Sequence, residues 1–232
     1  MTDKERALTT SERAARATAR QLMLDHPYYR AWVAGELDMA TLRDYAEQYF
    51  HHVDAFPRAV SRTHAACEDR DGRRMLAENL AEEEGVESGK TDHPELWMQF
   101  AEGLGASRRD VEAARLNDET SALIEAFRRL SAKSYAAGLG ALFAYESQIP
   151  DVARTKIEGL KVRYGVDDPR SLKFFTVHEK ADEEHAAVCR ELLDRLSPAE
   201  ADEAVAAADE LAGALWGFLD GVEATRQARL AA

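Results

Sequence analysis

The chain has 232 residues, 45% hydrophobic and 31% charged, with a formal net charge of −13. That is enough apolar material for one sizeable core, and a single helical domain over residues 1–232 is the expected organisation. The acidic balance argues against nucleic acid and against an anionic membrane surface, because both want clustered Lys and Arg, and it fits a small substrate better.

Helical periodicity runs along the chain, and alternating strand-like runs are absent. A first helix is expected from about Ser11 to Leu24, ending before His26-Pro27. Pro27 suits the first turn of a short helix that Gly35 ends. A long helix from about Thr41 carries Tyr45, Tyr49 and His52 and is expected to bend near Pro57. The next runs from about Arg73 to Glu84, stopped by Gly85 and Gly89. Asp92 then reads as the N-cap of a helix holding His93 and Trp97. Further helices are expected over about Asn117–Ser131, Ser134–Gln148, Asp151–Tyr164, Pro169–Leu196 and Pro198–Arg226. About eight to ten helices with short connections and no strands predict an all-α bundle.

Cys67 and Cys189 are too few and too far apart for a disulfide framework, and neither sits in a CxxC, so they read as buried thiols in a reducing cytoplasm. The N-terminal segment mixes Asp3, Glu5 and Glu12 with its arginines and lacks the apolar run of a signal peptide. The most apolar stretch, Tyr135 to Tyr145, is 11 residues long and contains Gly138 and Gly140, too short to span a bilayer. A soluble cytoplasmic protein is the expectation.

The strongest chemical signal is His178, Asp182 and His185 at offsets 0, 4 and 7, which places them on one helix face. Two imidazoles and a carboxylate in one stripe form a ligand row for a divalent transition metal. Alone, the row also reads as a salt-bridged polar face. Phe174, Phe175 and Val188 lie close to the stripe and turn it toward the core, where unpartnered polar groups are costly. Glu146 interrupts a small, apolar helix with no Lys or Arg beside it, so it needs a partner, and a metal is a good one. The run Glu82-Glu83-Glu84 is either a solvated face or a helix end supplying one carboxylate, with His93 opening the next helix. Counted together, Glu83, His93, Glu146, His178, Asp182 and His185 are three carboxylates and three imidazoles, a set that serves two metals and favours iron or manganese over structural zinc. The pattern lacks the paired Glu-x-x-His of ferritin-like bundles.

These residues together resemble the haem-oxygenase-like di-iron proteins, helical bundles of the TenA and PqqC type. Within them they look most like the chlamydial group named for associating with death domains (CADD), related to pyrroloquinoline-quinone synthase. The resemblance is carried by Tyr29 with Trp32, the Tyr45–Pro57 run, Glu82-Glu83-Glu84-Gly85, His93 with Leu96-Trp97, Tyr145-Glu-Ser-Gln-Ile-Pro150 and the His178/Asp182/His185 row. The Gly85–Asp92 loop is longer than that family leads one to expect, which leaves Glu82 and Glu84 as alternatives to Glu83. The resemblance implies two iron ions, or an iron–manganese pair, with dioxygen as co-substrate and an external reductant. It implies synthesis of para-aminobenzoate, a folate precursor, in which Tyr29 supplies the ring and Lys156 the amino group. Tyr45 and Tyr145 lie in segments expected near the centre, where a relay of electrons or protons and ordinary core packing are equally good readings, and the resemblance implies a homodimer. Two other readings stand beside this one: a di-iron oxygenase acting on a separate small amine or amino acid, and a helical interaction module with a structural metal.

Overall fold

The computed structural model describes residues 7–86 and 89–231, with all of their side chains except those of Lys180, Ala181 and Asp182. Eleven α-helices order the described residues, and no strand occurs among them: α1 Thr10–Thr18, α2 Pro27–Ala34, α3 Met39–Ala66, α4 Arg70–Glu83, α5 His93–Gly103, α6 Arg108–Glu112, α7 Asp118–Lys133, α8 Tyr135–Glu146, α9 Ile149–Arg163, α10 Lys173–Asp194 and α11 Pro198–Leu230. No helix of the described residues is long and apolar enough to cross a membrane.

Short polar side chains start most of these helices. Thr9 and Glu12 close a capping box on α1, Asp92 Oδ1 accepts from the Glu95 amide at 2.7 Å on α5, and Asn117 Oδ1 accepts from Thr120 at 2.6 Å on α7. His26 caps α2 by accepting from the Tyr28 amide at 3.0 Å, with Pro27 at the first helical position and Gly35 closing the helix at φ 75°.

The elements differ from the expected ones in several places. The first helix stops at Thr18 instead of Leu24, and a 3₁₀ turn over Met23–Asp25 follows. There the Met23 amide donates to Gln148 Oε1 at 2.8 Å, so a tertiary partner competes for a backbone group that helix continuation would have used. α10 begins at Lys173, not Pro169, because Asp168 takes the Ser171 amide on its side chain at 2.9 Å and the Leu172 amide on its carbonyl. The short α6, capped by Ser107, was not expected at all. α3 passes through Pro57 as one helix, and Phe56, Pro57 and Val60 are all buried; their packing offsets the lost backbone bond.

α8 is the axis of the bundle. From Ala136 to Glu146 every residue is buried, because α3, α7, α10 and α11 surround it. Glycine makes this possible: a Cβ on Gly140 would stand 2.1 Å from the Ala204 carbonyl oxygen of α11, and one on Gly138 would stand 2.4 Å from Thr63 Oγ1 of α3. The C-terminal end of α8 thereby carries Glu146 into the middle of the molecule, against α4 and α10.

Candidate metal centre and its neighbouring chamber

Glu83 closes α4 and His93 opens α5, so the loop between the two helices brings them together: Glu83 Oε2 lies 2.7 Å from His93 Nδ1, and both side chains are buried. α10 adds His178, whose ring lies 4.3 Å from that of His93, centroid to centroid. One ligand atom from each of Glu83, His93 and His178 falls within 4.8 Å of the others. His178 Nδ1 lies 2.7 Å from the Phe174 carbonyl, which can only accept, so that nitrogen carries the proton and Nε2 keeps its lone pair for a metal.

Glu146 and His185 stand beside this triad. Asn79 Nδ2 donates to Glu146 Oε1 at 2.7 Å, and the Cys189 thiol donates to Glu146 Oε2 at 3.0 Å. His185 Nε2 lies 2.9 Å from Glu82 Oε2, and Lys90 pairs with the same carboxylate at 3.2 Å. The three glutamates at the end of α4 are thus sorted: Glu83 is buried in the cluster, Glu82 is half-buried against His185, and Glu84 is exposed. The side chain of Asp182 lies outside the described residues. Glu183 and Glu184 face solvent, as the helix periodicity implies.

The electrostatics suit a cation. Burial pushes the Glu83 carboxyl up to about 7, against the pull of His178 and His185. Burial also raises Glu146, opposed by His185, Cys189 and Asn79 and reinforced by Glu83. Asn79 Oδ1 is buried without a hydrogen-bond partner. Two buried carboxylates, one of them raised by the other, with imidazoles and an orphaned amide oxygen around them, would be stabilised by a bound divalent ion. Oxygen and imidazole donors of this kind fit iron or manganese. A cavity of about 270 Å³ reaches this cluster from outside, bordered by Glu82, Lys90, His93, Gln99 and Lys173.

A second buried polar region lies behind it. Lys156 of α9 is buried, and its Nζ donates to Tyr45 Oη. The same Nζ is 4.5 Å from the Tyr45 ring centroid, 5.3 Å from Tyr49, 5.7 Å from Tyr29 and 5.2 Å from Trp97. Burial holds the Lys156 amine well below its ordinary range and raises the Tyr29 and Tyr45 phenols, which hydrogen-bond with each other. Tyr45 stacks on Tyr49 with centroids 5.5 Å apart, and Tyr49 Oη donates to Tyr145 Oη at 3.0 Å. The four residues expected to act on the reaction, Tyr29, Lys156, Tyr45 and Tyr145, therefore lie in one packed aromatic region, which Tyr145 joins through Tyr49. It joins the metal-ligand cluster through aromatic contacts: Trp97 meets Phe174 at 4.7 Å, and Phe174 stacks on His178 at 3.9 Å.

Sequence reasoning missed Asn79 and Cys189 as partners of Glu146. A signal existed in both cases, because Asn79 sits one turn before Glu83 and Cys189 one turn after His185, each on the ligand-bearing face.

The family model for iron-containing redox enzymes matches residues 43–227. The 4-aminobenzoate synthase of Chlamydia muridarum is 40% identical over 199 residues, covering 85% of this chain and 83% of that protein. The 4-aminobenzoate synthase of Nitrosomonas europaea is 39% identical over 212 residues, with 86% and 85% covered. A solved domain with a haem-oxygenase-like fold from Shewanella denitrificans superposes with a TM-score of 0.75 at 19% identity, covering 96% of this chain and 95% of that one, a likeness of fold alone. The chain belongs to the iron-containing redox enzymes, built on an all-helical haem-oxygenase-like fold.

Proposed function

We propose that this protein is a dinuclear-iron, oxygen-dependent 4-aminobenzoate synthase that consumes its own side chains, with Tyr29 as source of the ring and Lys156 as source of the amino nitrogen. Glu83, His93, Glu146, His178, Asp182 and His185 hold the two metal ions in this reading. The chemistry that bound iron supplies there is activation of dioxygen, with electrons from an external reductant.

The observation that carries the reading is the place of Lys156: a buried amine among tyrosines, 5.7 Å from the Tyr29 ring. A lysine that gives up nitrogen must be neutral, and a desolvated amine with no carboxylate beside it among the described residues favours that state. Tyr45 accepts from Lys156 and so anchors the amine through one N–H. The hydrogen-bonded Tyr49–Tyr145 pair extends the chamber with groups that pass a proton or an electron without leaving the core. The aromatic walls keep water from the amine. The similarity to two 4-aminobenzoate synthases supports the same product here.

The test uses protein carrying ¹⁵N-lysine and ring-labelled tyrosine, given iron, reductant and air. Both labels are expected in 4-aminobenzoate, with no more than one product per chain and matching mass changes at Tyr29 and Lys156. Unlabelled product, or full activity in Tyr29→Phe or Lys156→Arg, overturns the reading. A second reading, an oxygenase for a separate small amine or amino acid, is favoured by the 270 Å³ cavity at His93. Many turnovers on an added amine with an unmodified chain would select it.

A further inference from the structure

A smaller cavity of about 150 Å³ opens between α3 and α7, on the side of the chamber where His52 lies. Phe56 and Phe127 supply apolar walls, and Arg58, Arg62 and Arg128 line it as well. His52 forms part of the lining, is 1% exposed, and has no hydrogen-bond partner for its Nε2. Its ring stacks on Phe127 with centroids 5.0 Å apart. The lining is therefore aromatic within and cationic toward solvent, on a chain whose net charge is −13.

The three arginines differ in what already holds them. Glu125 takes Arg128 in a two-pronged contact at 2.5 and 2.6 Å, and Asp54 lies a loose 3.5 Å from Arg58. Arg62 donates only to the Arg58 carbonyl at 3.3 Å and has no carboxylate partner among the described residues. A guanidinium in that position is a ready partner for an incoming carboxylate, with which it forms paired charge-assisted hydrogen bonds. An apolar cavity of about 150 Å³ is known to hold one benzene ring.

From these features we infer that the α3–α7 cavity binds a small planar aromatic carboxylate, its ring against the wall that Phe56, Phe127 and His52 form and its carboxylate on Arg62. The chemistry of the site stands without the proposed function; only the identification of 4-aminobenzoate as the natural member of the class rests on that reading. Position supports the link: His52 meets the Tyr49 ring at 4.9 Å and the Tyr145 ring at 5.0 Å, and Tyr49 is 5.3 Å from Lys156 Nζ. One aromatic side chain separates the cavity lining from the reactive amine. Burial pushes the His52 imidazole down to about 3, so it stays a neutral hydrogen-bonding group at physiological pH.

The experiment is equilibrium binding to the full chain, with and without iron, by calorimetry and ligand-observed NMR. Benzoate and 4-aminobenzoate are expected to bind, and aniline, which keeps the ring and lacks the carboxylate, at least tenfold more weakly. Arg62→Ala is expected to weaken both carboxylates at least tenfold, and Ala55→Phe, which fills the cavity, to remove binding. Equal binding of aniline, wild-type affinity in both variants, or no carboxylate binding at millimolar concentration overturns the inference. Labelled product formation measured in parallel separates the two proposals: carboxylates that bind to a chain making no 4-aminobenzoate leave this site standing, and a synthase that binds no carboxylate here removes it.

Discussion

Two polar regions share the core of this bundle, back to back across Trp97 and Phe174, and they meet the cost of burial in opposite ways. The metal-ligand cluster concentrates groups that interact: Glu83 with His93, Glu146 with Asn79 and Cys189, His185 with Glu82. The Lys156 chamber spreads its polar atoms through an aromatic shell and keeps them uncharged, with both Lys156 and His52 held toward their neutral forms by burial. Desolvation opposes charge in both places. In the cluster a cation reverses that balance, and in the chamber nothing does. Metal should therefore decide the stability of one region and leave the other untouched.

The largest expected effect breaks the chamber alone. Lys156→Met should lower 4-aminobenzoate formation by ~10³-fold or more, as loss of a group that itself reacts does. Iron content should stay at the wild-type level, because no ligand candidate touches Lys156 among the contacts that hold it. The variant should also unfold at higher denaturant, by on the order of 1–2 kcal/mol, since a buried amine is replaced by an apolar chain of similar length. Iron loss in this variant would show that the two regions are not separable.

Next in size are changes confined to the cluster. Glu83→Gln should weaken iron binding by at least ~100-fold in competition with a chromophoric chelator, more than loss of an outer partner costs. Glu84→Gln, one residue along and exposed, should bind as the wild type does. Equal losses in both would mean that the wrong carboxylate of the run has been chosen. Removing an outer partner should cost less. Asn79→Ala and Cys189→Ala each take one hydrogen bond from Glu146 and should weaken iron binding by about tenfold, with a shifted absorption spectrum of the loaded protein. An unchanged spectrum and affinity in both would leave Glu146 positioned by its helix alone.

The two regions also differ in how far they could be read from sequence. The cluster was legible because its residue types are rare in an apolar setting: Glu146 stands out in α8, and His178 and His185 stand two turns apart on one helix face. Which glutamate of Glu82-Glu83-Glu84 turns inward was not legible, because that depends on where α4 ends and how the loop to Asp92 returns. The chamber was legible only through resemblance. Tyrosines and a lysine carry no local pattern that separates them from ordinary core and surface residues. His52 illustrates the limit: its neighbours Phe127 and Tyr145 come from α7 and α8, and no spacing within α3 announces them. The fold followed from breakers and caps where these act locally, as at Pro27, Gly35, Asp92 and Asn117, and departed from expectation where a tertiary partner intervened, as Gln148 does at Met23.

A pH slope tests the claim that the chamber stays neutral. His52 holds its proton only below about 3 in the folded chain, against an ordinary value of 6.5. Between these values the unfolded chain binds a proton that the folded chain refuses. Its contribution is therefore fully present above pH 6.5 and is lost as pH falls toward 3, at up to about 1.4 kcal/mol per pH unit. In His52→Phe that contribution is absent, so its urea-unfolding free energy should fall less steeply than the wild type's between pH 6.5 and 4.5. The comparison uses the slope and not the absolute stability, because phenylalanine repacks against Phe56 and Phe127 and shifts both ends of the curve alike. Carboxylates and the other imidazoles titrate in both proteins and cancel in the difference. Parallel curves would mean that His52 takes up a proton in the folded chain, and a chamber that admits that charge is not the dry, neutral environment that Lys156 needs.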